Sequence, residues 1–200
     1  MRQARVSARS TLEAHRELLD GLFETTLELK READSRDLSD LAEVANSVLF
    51  GALIQADLNA LLWNLTGDSF SWNERMQCRF ASIVVKESFD KLPAVLGGDF
   101  RRSLASLSIS EGCLRELGLA RSQLEDLKSR HLSVIKPLRD TVSAHSNRDA
   151  FAHLEQIRAI EPTEILNILL DLTRWNEMML QVQNSIAREL LASIRSSDAS

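Results

Sequence analysis

The chain has 200 residues, 44% apolar and 26% charged, with a formal net charge of −5. That length and balance fit one globular domain over residues 1–200 with a core of its own, and exclude both a disulfide-stapled miniature fold and a charge-rich disordered chain. The acidic total also argues against a protein that wraps nucleic acid over its whole surface.

The apolar spacing is helical from end to end, with few glycines and prolines and no alternating run bounded by turn dipeptides. Arg2, Arg5 and Arg9 open the chain with no apolar run behind them, so no secretory signal is expected. A first helix is predicted from about Ser7 to Glu32, with Leu12, Leu19, Leu22, Phe23, Leu27 and Leu29 on one side and a connector at Asp34-Ser35-Arg36-Asp37. A second runs from Ser39 to about Leu65 and is apolar almost all round: Val48, Leu49, Phe50, Ala52, Leu53, Ile54, Leu58, Leu61 and Leu62. Asn46, Gln55, Asp57 and Asn59 make it too polar for a membrane span, so it reads as a central helix or a subunit interface. A cytoplasmic protein without membrane contact is the expectation.

Thr66-Gly67-Asp68 should end the second helix, with Gly67 just beyond its C-terminus. Ser71-Trp72-Asn73-Glu74 has the form of a capping box and should open the third, which carries Met76, Phe80, Ile83, Val84, Phe89 and Leu92. Pro93 kinks or ends it, and Gly97-Gly98 breaks the chain. Asp99 to Gly118 reads as short helical pieces, and Ser122-Gln123-Leu124-Glu125 precedes a helix reaching about Val134. Lys136-Pro137 punctuates it, with Pro137 suited to the first turn of a short helix from Leu138 to about His145. After a loop or helix entry at Ser146-Asn147-Arg148-Asp149, Pro162 opens a long last helix with a stripe of Ile165, Leu169, Leu172, Trp175, Met179, Val182, Ile186 and Leu190. The tail from Ser196 should fray. The pattern predicts an all-α fold: an antiparallel bundle of four long helices plus short ones.

Cys78 and Cys113 match no metal-ligand spacing and are expected to be reduced core residues. There is no phosphate loop, dinucleotide fingerprint or zinc motif, so no metal or cofactor is expected. Trp63, Trp72 and Trp175 are too scattered for a base-stacking platform and read as packing residues. Charge is uneven. Acids dominate from Glu13 to Glu43. Bases dominate from Arg115 to Arg148, where Arg130, Lys136, Arg139 and Arg148 cluster. Such a basic stretch is either a solvated helix face or a phosphate-binding site.

Within it lies Leu138-Arg139-Asp140-Thr141-Val142-Ser143-Ala144-His145-Ser146-Asn147. A histidine can take the proton of a ribose 2′-hydroxyl, and an arginine can neutralise the phosphate under attack, without a metal. Six residues along a helix amount to 240° of net rotation and about 9 Å of rise, so Arg139 and His145 of one copy would not share a face. Either the helix breaks inside the motif, or two copies meet across a twofold groove. Asp140 can orient an imidazole, bridge to Arg139, or serve as a helix-start carboxylate. Ser143 and Asn147 are accessory candidates. Lys136, Arg148, Arg130 and His131 are candidate RNA contacts, and His153 flanks the same segment.

The phrase Leu138 to Ser146 resembles the signature of the HEPN superfamily: an arginine, a short spacer and a histidine, with a polar residue after the arginine. Asp140 and Ala144 make it similar in particular to the abortive-infection branch. The resemblance implies an all-α, dimeric, metal-independent endoribonuclease of toxin or phage-defence settings, paired with a protein antitoxin or regulator. It would place Arg139 on the scissile phosphate and make His145 the base or acid. Asp140 stands where the family usually has asparagine, which adds a negative charge beside a phosphate site. Two other readings stay open: a non-catalytic module that dimerises and docks a partner such as a cognate toxin, antitoxin or nucleotidyltransferase, and a helical bundle of unrelated purpose.

Overall fold

The structure is a computed structural model that describes residues 2–66, 71–143 and 150–198. They are helical throughout their length apart from short connectors, and the fold class is all-α. The elements are α1 (Arg2–Ser35), α2 (Ser39–Thr66), α3 (Ser71–Val95), α4 (Gly98–Ser106), α5 (Glu111–Ser143), α6 (Ala150–Arg158) and α7 (Pro162–Asp198).

Contacts between helices fix their directions. Asn176 on α7 donates to the Gly51 carbonyl at 3.0 Å and to Gln55 Oε1 at 2.9 Å, and Gln183 donates to the Ser47 carbonyl at 3.5 Å. Residue numbers rise on one helix as they fall on the other, so α2 and α7 are antiparallel. Ser110 beside Glu189, Trp175 Nε1 on the Ala120 carbonyl at 2.8 Å, and His131 beside Asp171 show the same for α5 and α7. The short α1–α2 and α2–α3 connections make those neighbours antiparallel as well. α1, α3 and α7 therefore run one way, α2 and α5 the other.

α7 lies against α1, α2, α3 and α5. All eight residues of its predicted stripe, Ile165 to Leu190, are buried. α2 packs on α1, α3, α4 and α7. Leu41, Val44, Val48, Ala52, Leu58 and Leu62 of α2 are buried, whereas Leu53 and Trp63 lie on its outer side with half or more of their surface exposed. It is the one described helix long and apolar enough to cross a membrane, and 44% of its most apolar window is buried within this chain. Gly51 lets α2 approach α7 closely, since a Cβ there would stand 2.9 Å from Gln183 Oε1 and 3.2 Å from Leu180 Cδ2.

Two helix ends close in the left-handed region. Asp37 (φ 55°) follows α1, and the Leu38 N–H donates to the Ala33 carbonyl at 2.9 Å. Ser108 (φ 56°) follows α4, with the Ile109 N–H on the Leu104 carbonyl. This six-to-one bond gives each helix a carbonyl cap with an apolar residue after the turn. Asp40, in the first turn of α2, accepts from Ser103 Oγ at 2.9 Å and Ser106 Oγ at 2.6 Å, docking α4. Those bonds, Ser106 foremost, hold its carboxyl below the usual range.

Several expectations need correction. Helices of 25 residues or more number five among the described residues (α1, α2, α3, α5 and α7) instead of four. The difference is α5. It starts at Glu111, runs through Gly112 and Gly118, and keeps Pro137 inside it, so the broken stretch is confined to the short α4 and the turn after it, and no separate helix starts at Leu138. α3 likewise carries Pro93 to its end at Val95. α1 continues through Ser35, shortening the predicted connector. Leu27, Phe80 and Trp63 face outward instead of packing. Cys113 is half-buried beside Glu189 while Cys78 is fully buried; both are free thiols. Gly67 lies outside the described residues.

Asn176→Ala removes the donor to Gly51 and Gln55 at a fully buried point. Loss of about 2 kcal/mol is expected, a Tm drop of roughly 4–8 °C measured by circular dichroism.

Candidate functional site

The geometry around the motif follows from the continuity of α5. Leu117, Ala120, Leu124, Leu127, His131, Val134 and Leu138 recur every three or four residues and turn one side of α5 inward. The first four of these and Ile135 are buried, and Val134 and Leu138 pack against the core. Pro137 withholds one N–H and crowds the preceding turn, at a cost of about 3 kcal/mol. Burial of an aliphatic side chain contributes about 1.5–3 kcal/mol. Buried Ile135 before the proline and part-buried Val134 and Leu138 on either side of it offset this cost, and α5 runs through Pro137 to Ser143.

Arg139 sits one turn before the end of α5 with its side chain half exposed, and its Nη1 donates to Asp140 Oδ1 at 3.2 Å. Lys136, one turn earlier, is also exposed. Ser143 follows Arg139 by four residues and is the last residue of α5. Arg139, Lys136 and Asp140 thus lie together within two turns. Arg130, nine residues before Arg139, is exposed on the opposite face of the helix. His131 turns inward: it lies 3.2 Å from Asp171 on α7 and is mostly buried. His145, Asn147 and Arg148 lie outside the described residues, and so does the motif's second half.

Other chemistry finds little purchase. Among the described residues no group of His, Cys, Asp and Glu could hold a metal ion. Burial pushes the Cys78 thiol up to about 12, with Glu74 adding to the effect and Arg75 opposing it. That thiol is no nucleophile at neutral pH. Open grooves of about 480 Å³ between α1 and α2, beside Phe23 and Trp63, and about 400 Å³ between α5 and α7, beside Leu119 and Met178, do not include Lys136, Arg139 or Asp140.

Sequence reasoning missed the contact that sets α5 against α3. Lys128 Nζ donates to the Phe89 carbonyl at 3.2 Å and lies 3.6 Å from Asp90 Oδ1. Asp90 also accepts from Lys86. The Lys86 hydrogen bond, with the charges of Lys86 and Lys128, holds the Asp90 carboxyl below its usual range against partial desolvation. It also missed Arg75 and Arg79 in the first turns of α3, half-buried and buried respectively. Their four-residue spacing marks one helix face, but only the fold shows which helix that face meets.

The helix directions give the bundle two unlike ends. The α1–α2 turn, with Glu28, Glu32, Asp34, Asp37, Asp40 and Glu43, lies at one end. The C-terminus of α5, the N-terminus of α3 and the opening turns of α1, which carry Arg2, Arg5 and Arg9, lie at the other.

No protein-family profile, curated protein or solved structure matches the chain.

Because the Asp90 value is lowered by folding, its contribution to stability is in place above the ordinary carboxylate range near pH 4 and is lost as pH falls through the lowered value. Asp90→Asn is expected to flatten the acid limb of stability against pH, followed by urea unfolding between about pH 5 and 2. The effect is small, because half of the Asp90 side chain faces water.

Proposed function

We propose that the chain is a metal-independent endoribonuclease of the HEPN kind, acting in a toxin or phage-defence setting as a homodimer whose two motifs share one groove. The observation that carries this reading is the exposed Arg139 one turn before the end of α5, with Lys136 one turn away. A guanidinium so placed is accessible to a phosphodiester and suited to bidentate contact with it. His145 removes the proton of the ribose 2′-hydroxyl, and the 2′-oxygen attacks phosphorus. The 5′-oxygen leaves with a proton returned from an imidazole. The products are a 2′,3′-cyclic phosphate and a free 5′-hydroxyl. Arg139 offsets the charge that builds on phosphorus-bound oxygen.

The unbroken run of α5 from Arg139 to Ser143 supports the two-copy form of this site. A helical continuation to His145 would keep one copy's pair on different faces. A protein antitoxin or regulator is the matching partner.

One observation favours a partner-docking role without catalysis: the Asp140 carboxylate occupies the Arg139 guanidinium at 3.2 Å. It would have to yield to an incoming phosphate.

Total RNA incubated with the protein in EDTA is expected to be cleaved to 2′,3′-cyclic phosphate ends. Arg139→Ala and His145→Ala should each lower the rate by about 10²–10⁴-fold. Asp140→Asn should raise it several-fold. Equal cleavage, or none, in wild type and both alanine variants would reject the enzyme reading, and a dimer that retains partner binding would then favour the docking role.

A further inference from the structure

α2 is apolar on nearly every side, yet less than half of its most apolar window is buried within the chain. The rest forms an outward ridge. Leu53 leaves 51% of its surface in water and Trp63 leaves 64%, with Ala56 and Ala60 between them. An open groove follows each flank of the ridge. Leu12, Leu19 and Phe23 of α1 line one, together with Ala60 and Trp63. Val84 of α3 lines the other, of about 260 Å³, together with Phe50 and Leu53.

Two more exposed apolar side chains belong to this face. At about 100° per residue, Leu27 has a heading on α1 between those of Arg16 and Asp20, which line the first groove. Phe80 has a heading on α3 between those of Glu87 and Lys91, and both of these line or border the second. Leu27 is 51% exposed and Phe80 52%. Four of the seven large apolar side chains that stand exposed among the described residues therefore gather on one face, which marks an interaction surface instead of scattered single leucines.

The four leave about 400 Å² of apolar surface in water. A stable homodimer contact takes roughly 800 Å² from each partner, about 65% of it apolar. Phe23, Phe50 and Val84, each partly exposed, bring the face close to that share. Its charges are mixed: Asp20, Asp57 and Glu87 against Arg16 and Lys91. A lipid surface selects an apolar face rimmed by an excess of lysine and arginine, which this one lacks. Both signs on one face suit a twofold contact, in which the acids of each copy meet the bases of the other. Shape agrees, since projecting residues and grooves lie side by side and a twofold contact lets each copy's Leu53 and Trp63 fill a groove of the other.

We propose that the α1–α2–α3 face joins two copies of this chain. The contact includes none of Lys136, Arg139 and Asp140, and it needs no part of the ribonuclease reading. It gives the outer side of α2 a cover as apolar as itself. A twofold axis along the helices would leave both α5 tips at one end of the pair, as the two-copy site requires.

Sedimentation equilibrium over about 1–100 μM protein tests the contact without RNA. The wild type is expected to be a dimer. Leu53→Glu and Phe80→Glu each introduce a carboxylate that the contact would bury in both copies. Each should weaken dimerisation by about 100-fold or more while far-UV circular dichroism stays unchanged. The two positions lie on different helices and face water in the single chain, so one carries the test where the other fails to fold. Leu119→Glu, at an exposed leucine beside the α5–α7 groove, should leave the dimer intact. A wild type that stays monomeric, a dimer that survives both glutamates on this face, or one that Leu119→Glu dissociates as well would each overturn the contact. So would a monomer that binds phosphatidylcholine–phosphatidylserine vesicles and loses them in Leu53→Glu, which would give the face to lipid. A monomeric Leu53→Glu that still cleaves RNA would leave this contact standing and reject the two-copy site.

Discussion

The close approach of α2 and α7 at Gly51 is the constraint on which the other helices depend. Two apolar helices could slide along each other by a turn at little cost, because any leucine fits most leucine-lined holes. Asn176 removes that freedom. Its amide reaches the Gly51 carbonyl and Gln55 in one register only, and Gln183 reaches Ser47 two turns further on. A slip would leave these buried amides without partners, which costs about 1–3 kcal/mol per group. With α7 held, Trp175 finds the Ala120 carbonyl, Asp171 finds His131, and Glu189 finds Ser110. The position of α5, and with it of Arg139, is thus set by polar contacts inside an apolar bundle.

The site inherits this arrangement in layers. α5 is anchored to α7 along its inner stripe and to α3 at Lys128, so its final turns are carried by a rigid element. Arg139 is displayed there with its side chain half exposed. In the ribonuclease reading the scaffold contributes orientation, and the reacting groups come from the last turn of α5 and the residues after it.

Much of the fold could be read from the sequence because helical periodicity survives in a single chain. The α7 stripe from Ile165 to Leu190 is wholly buried, and Ser71 does open α3. α5 was harder. Its three-four spacing continues through Leu138, but Gly118 and Pro137 carry strong local signals for a break. The burial that overrides them comes from α3 and α7, which lie far away in sequence. Trp63 and Leu27 failed for a related reason: an apolar residue shows its type in the sequence but not whether a neighbour covers it. His131 looked like a phosphate contact from its basic surroundings, while Asp171, forty residues on, turns it inward. The exposure of Arg139 on α5 could not be read from local sequence, because it depends on which side of α5 the neighbouring helices cover.

The two unlike ends of the bundle change what the net charge of −5 means. α5 alone is 33 residues long, or about 50 Å. The screening length at physiological ionic strength is about 8 Å. The carboxylates around the α1–α2 turn are therefore screened from the far end of the bundle, where Lys136 and Arg139 stand exposed beside Asp140. To an approaching polyanion the two ends of the bundle are electrostatically separate, and the local balance at each end, not the net charge, sets the force it meets. An acidic isoelectric point is therefore no argument against the phosphate contact proposed for Arg139, because the densest run of acids lies at the opposite end of the bundle.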